Sequence, residues 1–287
     1  MVVKPLEGTD AEAKQLVIEY PRESLSYVTD EVTGAYLMGS NAIRVEGKTV
    51  ISREDRSRLK SALARLIGLE IVDENSKGMT LQFLLDPAVL DPEKIVRRMS
   101  SLISGMLRDS AEGVKQDRAL LALVGERDDE VDRLYFLLVR TIRTAAIDPE
   151  VAGRYRLEPI ECLDYRVLAS YLESLGDAIT DFSRLASSQR FGKQVSGELA
   201  TFLRALATMG ETSVASFLAR RRVQAKLTHT EVASMRERLG ELSKEMVGVK
   251  GTSDGAIVDL FALLERVASI FVDISDLASP TYQLRPR

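Results

Sequence analysis

The residues best placed to do chemistry in this chain are carboxylates. Asp128 and Asp132 stand four residues apart, and so do Glu173 and Asp177. In a helix that spacing stacks two carboxylates one turn apart on a single face. Unpaired carboxylates so close repel one another, and a hard, oxygen-seeking cation relieves the repulsion. An all-oxygen donor set suits magnesium, calcium, manganese or iron better than copper. The same spacing is also ordinary on a solvated helix face, so spacing alone leaves both readings open. Other chemistries are more firmly excluded. Cys162 is the only cysteine and His229 the only histidine, which rules out an internal disulfide and a four-ligand Cys/His zinc site. The two lie far apart in sequence and each reads as structural. No Walker loop, GxSxG elbow, glycine-rich dinucleotide fingerprint or Glu-x-x-His di-iron motif occurs. With no nucleophile or general base in a recognisable setting, the chain reads as non-enzymatic.

The elements that must position these carboxylates fall into two parts, a module over residues 1–88 and a helical part over 89–287. In the first, KQLVIEY (14–20) alternates like a strand. Residues 22–38 read as a helix with Leu25, Val28, Val32, Ala35 and Tyr36 on one face. AIRVE (42–46) is a second strand. Ser52 opens a second helix carrying Leu59, Leu63, Leu66 and Ile67, which Gly68 stops. LEIVDE and MTLQFLL flank Asn75-Ser76-Lys77-Gly78 as a hairpin. The order is β-α-β-α-β-β, a small α/β module. Asp86-Pro87 and Asp91-Pro92 mark its exit. Helical periodicity then predicts helices near 93–118, 119–147, 163–187, 193–226, 229–247 and 254–278, so the fold class is α+β overall.

An internal repeat organises the helical part. Leu168, Leu172, Leu175, Ile179, Phe182 and Ala186 recur 92 residues later as Leu260, Leu264, Val267, Phe271, Ile274 and Ala278. Glu173, Asp181, Ser183 and Leu185 recur at the same offset as Glu265, Asp273, Ser275 and Leu277. Matching residues off the apolar seam point to duplication, with one three-helix unit at about 93–187 and another at about 193–278. On this pattern Glu173 and Asp177 face outward, and Asp128 and Asp132 flank the seam of Val131, Leu134 and Leu138.

Composition fits a globular chain with a real core: 45% hydrophobic residues, 29% charged, no tryptophan. A net charge of −4 offers no basic field for nucleic acid. The first residues are polar, without the apolar core of a signal peptide, and no run of about 18 apolar residues predicts a membrane span. A cytoplasmic location is the expectation. Arg220-Arg221-Arg222, Arg97-Arg98, Arg140 and Arg143 read as solvated helix surface or carboxylate partners, with a phosphate or acidic contact as the functional alternative.

Two segments carry a family resemblance. Asp128-Asp129-Glu130-Val131-Asp132-Arg133-Leu134 resembles the motif on the second helix of a PhoU repeat. Leu172-Glu173-Ser174-Leu175-Gly176-Asp177, within YLESLGDAITDFSRLA, resembles its partner on the third helix. The front module is similar to the segment found in archaeal PhoU-like phosphate-uptake regulators, on Ile18-Glu19-Tyr20-Pro21, Arg65-Leu66-Ile67-Gly68-Leu69-Glu70-Ile71 and Phe83-Leu84-Leu85-Asp86. The resemblance implies a PhoU-like bundle of two tandem three-helix repeats. It implies Asp128, Asp132, Glu173 and Asp177 as ligands of a divalent or trivalent metal (iron, zinc, magnesium or manganese), in the first repeat only. Two departures bear on that set. Ala178 stands where the family often has histidine. In the second repeat Glu265 is kept, but Ser269 replaces the aspartate.

The function implied is non-enzymatic regulation of phosphate uptake through a protein partner, a phosphate-transporter ATPase or a signalling protein. The alternative is a transcription regulator that meets DNA directly or through a further domain, and a metal-dependent enzyme ranks last. Many such regulators begin with an AbrB-like DNA-binding domain; residues 1–287 contain none, and Met1–Pro5 reads as the end of its last strand. Met99, Leu102, Met106 and Phe217 are candidates for a homodimer face, or alternatively for internal core.

Overall fold

The structure, a computed structural model, describes residues 16–20, 24–86, 90–219, 222–246 and 254–278. Alternating apolar residues at the front build four strands, β1 (Leu16–Tyr20), β2 (Ala42–Gly47), β3 (Leu69–Asn75) and β4 (Gly78–Phe83). Two helices lie among them, α1 (Leu25–Leu37) and α2 (Arg53–Leu63). The sheet order is β1-β2-β4-β3. β1 runs parallel to β2 across the α1 crossover, while β4 is antiparallel to both β2 and β3. Ile18, Tyr20, Ile43, Val45, Leu81 and Phe83 point into the core as the two-residue period requires. Ser24 and Ser52 cap the two helices, their hydroxyls accepting from the amides of Tyr27 and Asp55. α2 ends at Leu63, earlier than its apolar pattern suggests. Leu66 and Ile67 lie in a turn closed by Gly68, whose φ of +83° suits glycine.

Among the described residues seven helices follow: α3 (Pro92–Lys115), α4 (Ala119–Ile147), α5 (Pro149–Tyr155), α6 (Pro159–Ser188), α7 (Lys193–Ala219), α8 (Arg222–Met246) and α9 (Asp254–Leu277). Sequence reasoning expected six. Asp148-Pro149 does not simply break the chain: Asp148 caps α5 and Pro149 takes its first turn. Glu158-Pro159 does the same for α6 through a capping box, so α6 begins four residues before the periodicity suggests. Of the helix predicted over 193–226, α7 covers Lys193–Ala219, and α8 runs continuously from Arg222 to Met246 across the expected boundary at 227–228. Arg220, Arg221 and the side chains of Arg222 and His229 lie outside the described residues.

The duplication is visible in three dimensions. In the first repeat, Ser110 of α3 and Ser183 of α6 share a buried hydrogen bond of 2.8 Å. In the second, Ser275 of α9 donates to Ser213 of α7 at 3.0 Å, also buried. The partners are 73 residues apart in the first case and 62 in the second, a difference of eleven. The first repeat is longer in several places, with a 29-residue α4 against a 25-residue α8 and the extra helix α5 in the connection to α6. Met99 and Met106 are fully buried, and Phe217 packs edge-on against Tyr165 at 5.2 Å between ring centres. These side chains are core, which removes them from a dimer face. Arg97 pairs with Glu93 at 2.6 Å, as a surface arginine commonly does.

Arg140 behaves otherwise. It is buried in α4, and its guanidinium enters the end of α1. Nη1 donates to the carbonyls of Tyr36 (2.7 Å) and Ser40 (3.0 Å), and Nη2 to the Gly39 carbonyl (3.3 Å) and Asn41 Oδ1 (2.7 Å). The same cation lies 3.8 Å from the centre of the Phe83 ring and 5.0 Å from that of Tyr36. No carboxylate takes part. The carbonyl dipoles at the end of α1 and in the turn after it supply the counter-charge, the Tyr36 carbonyl accepting from both Gly39 N–H and Arg140. Burial nevertheless pulls the Arg140 pKa down to about 10. Arg140→Met removes the donor to the carbonyls of Tyr36, Gly39 and Ser40 and to Asn41 Oδ1, together with the ring contacts, and is expected to cost about 3 kcal/mol in urea unfolding. Arg140→Lys, lacking the planar fork, should recover less than half. A loss under about 0.5 kcal/mol in the methionine variant would place the hold between sheet and bundle elsewhere.

Candidate metal centre

The four carboxylates come from two helices whose apolar seams force them together. Val131, Leu134 and Leu138 of α4 are buried with Leu168, Leu172, Leu175 and Ile179 of α6. Gly125 lies beside Thr180 and Asp128 beside Gly176, so the helices run antiparallel. Asp128 and Asp132 are half-buried on the flank of α4. Across from them Glu173 is half-buried and Asp177 exposed. The structure thus brings all four predicted residues to one seam.

The charges act on one another. Burial raises the Asp128 pKa to about 7, helped by the negative charges of Asp132, Asp177 and Asp129. Burial also raises Asp132, with Asp177 and Asp129 adding to the effect and Arg65 opposing it. Glu173 is raised by burial, then by Asp177 and Asp132, with Arg266 opposing. The nearest arginines in sequence are engaged elsewhere: Arg127 with Asp109 at 2.6 Å and Arg133 with Glu130 at 3.1 Å.

One corner of the cluster is left polar and unsatisfied. Asp128 Oδ1 and the Thr180 hydroxyl are both buried without a hydrogen-bond partner. The hydroxyl is close enough to lower the proton affinity of Asp128 but lies outside hydrogen-bonding geometry. Gly176 faces them, and a Cβ there would collide with Asp128 Oδ1. The donor set is therefore hard and oxygen-only, with an orphaned buried oxygen seated where a Cβ at residue 176 would lie, features that fit a cation. Among the described residues, however, no three His, Cys, Asp or Glu side chains are already gathered into a ligand cage. Mutual repulsion of the carboxylates opposes such an approach.

Thr180 and Gly176 escaped the sequence reading. A glycine inside a long helix was a usable signal, since it costs about 1 kcal/mol relative to alanine. Thr180 carried none, because its place depends on which helix faces it. The second repeat diverges as expected, and the structure shows how. Ser269, at the position equivalent to Asp177, accepts from Arg236 of α8 at 2.6 Å, so a fixed guanidinium sits where the first repeat has only carboxylates.

A carboxyl whose proton affinity is raised by folding stabilises the fold while protonated. That contribution is complete below the ordinary carboxylate pKa near 4 and is lost as pH rises towards about 7. In chelator-treated protein, Asp128→Asn should therefore raise Tm at pH 8 by about 2–4 °C and change it little at pH 5. Parallel pH profiles for the two proteins would contradict this account of Asp128.

Comparison with known proteins follows this geometry. Residues 96–186 match the family model described as the PhoU domain. No curated protein sequence matches the chain. Among solved structures the chain is similar to PhoU from Pseudomonas aeruginosa, with a TM-score of 0.51 and 16% identity, over 67% of this chain and 95% of that one. At that identity the likeness concerns fold. The span 96–186 holds all four carboxylates, Gly176 and Thr180, so the segment that builds the cluster is the one that matches the PhoU domain.

Proposed function

We propose that this chain is a non-enzymatic, PhoU-like regulator of phosphate uptake that binds a cation through Asp128, Asp132, Glu173 and Asp177 and acts through a protein partner. The observation that carries the reading is the coincidence of the PhoU-domain match with the carboxylate cluster on α4 and α6. The four carboxylates would hold the cation, with Thr180 as a neutral oxygen beside Asp128. A hard cation supplies charge neutralisation and open positions that phosphate oxygens can enter. The chain's own part is to keep the acids on two packed helices and to leave room at Gly176. Magnesium, manganese, iron and zinc are the cations to examine. A phosphate-transporter ATPase or a signalling protein is the partner class this reading favours. No helix among the described residues is long and apolar enough to cross a membrane.

The test has two arms. Metal analysis of purified protein should find at least tenfold less bound cation in a fourfold Asp128/Asp132/Glu173/Asp177→Ala variant than in wild type. Gly176→Ala should lose cation while remaining folded by circular dichroism. Equal metal content in wild type and the fourfold variant would remove the site. In cells lacking the protein, phosphate uptake under phosphate excess should be misregulated and restored by wild type but not by the fourfold variant. Unaltered uptake on deletion would remove the regulatory role.

A further inference from the structure

We propose that the cavity where the start of α6 meets the first turn of α3 and the last turns of α7 and α9 binds a small primary amine, with Asp164 as its counter-charge and the Tyr165 hydroxyl as a hydrogen-bond acceptor. This goes beyond the cation reading above and does not depend on it.

The cavity measures about 370 Å³, within the range of small-molecule sites. Its walls come from segments far apart in sequence. Tyr155 and Arg156 come from the end of α5, Asp164 and Tyr165 from the second turn of α6, and Phe217 and Leu277 from the ends of α7 and α9. Arg156 caps α5 with a left-handed φ of +54°, and its N–H donates to the Gly153 carbonyl at 3.2 Å, which turns the chain back towards α6. Two polar groups at the cavity have no partner among the described residues. Tyr165 is more than nine-tenths buried, its ring edge-on to Phe217 at 5.2 Å, yet its hydroxyl makes no such hydrogen bond. A tyrosine so buried normally finds one. Burial keeps it a neutral phenol, raising its pKa to about 12, with Glu93 and Asp91 adding to the effect and Arg97 opposing it. Asp164 is half-buried without an ion pair or hydrogen bond, and burial raises its proton affinity. The neighbouring acids are committed: Glu161 accepts from the Glu158 N–H at 2.7 Å, and Glu93 pairs with Arg97 at 2.6 Å. The capping box already serves the first amides of α6, so the helix start is not left to draw an anion. Glu93, Glu161 and Asp164 against Arg156 make the lining net negative. An uncompensated carboxylate beside the rings of Tyr155, Tyr165 and Phe217 suits an ammonium on an apolar body. Two of its three N–H donors would then have acceptors in Asp164 and Tyr165. Asp164 precedes Glu173 by nine residues on α6, roughly 13 Å along the axis, so the amine site and the acidic cluster are separate.

The experiment is calorimetric titration of the full chain with phenethylamine, with its neutral isostere phenethyl alcohol and with phenylalanine. Phenethylamine should bind roughly tenfold tighter than the alcohol. Asp164→Asn should weaken phenethylamine by roughly tenfold and leave the alcohol within about twofold, with unchanged circular dichroism. Tyr165→Phe, which keeps the ring contact with Phe217, should weaken the amine by roughly three- to fivefold. Phenylalanine separates an amino acid from a free amine as the ligand. Tighter binding that Arg156→Gln removes places a carboxylate on Arg156, weaker binding leaves the site to free amines, and either result upholds the ammonium site. Equal affinity for phenethylamine and phenethyl alcohol would overturn the amine class, and equal amine affinity in wild type and Asp164→Asn would overturn the role of Asp164. No binding of any probe up to about 10 mM would overturn the site itself.

Discussion

The buried guanidinium of Arg140 is the interaction on which the arrangement of this protein depends. It joins a sheet-bearing module to a helical bundle with no carboxylate partner, using the carbonyls at the end of α1 and in the turn that follows as its counter-charge. The aromatic faces of Phe83 and Tyr36 complete the enclosure. Since Arg140 lies two turns beyond Asp132 on α4, the same contact fixes the α2–β3 turn alongside the acidic cluster. The position of the module relative to the site follows from where one arginine finds its acceptors.

The two repeats share a scaffold and differ in what they hold. Each keeps an apolar seam and a buried pair of serines, Ser110 with Ser183 and Ser213 with Ser275. A small hydroxyl pair lets two helices approach closely while each polar atom stays satisfied. In the first repeat Asp132 and Asp177 lie across the seam from one another; burial raises the proton affinity of Asp132 and the charge of Asp177 adds to it. In the second, Ser269 binds Arg236 and the place is electrostatically quiet. One half of the duplicated fold carries a cluster of like charges at this place, and the other carries a hydrogen bond. Unfavourable charge held by packing is common where a site must receive a ligand.

Several features were legible from the order of residues. The β-α-β-α-β-β module, the hairpin around Asn75–Gly78 and the long helices follow from period-two and heptad-like apolar spacing, which depends on local geometry alone. The 92-residue offset named the matching seams of α6 and α9 and the equivalence of Ser183 with Ser275. The acid pairs were visible as pairs, and their family resemblance supplied the ligand set. Helix boundaries were read less well at Asp148-Pro149 and Glu158-Pro159, where proline starts a helix as readily as it ends one.

What the sequence determined by itself is therefore the class of each element, the duplication and the two faces on which the acids lie, because these are set by spacing along the chain. What only the tertiary structure decided is which of those groups meet. Arg140 read as one more surface charge until α1 offered it carbonyls. Thr180 and Gly176 acquired meaning only opposite Asp128, and Asp164 only at a cavity lined by the ends of other helices. The reason is physical: the charge state of a carboxyl depends on burial and on neighbours from distant segments. Those distances exist only once the helices have packed.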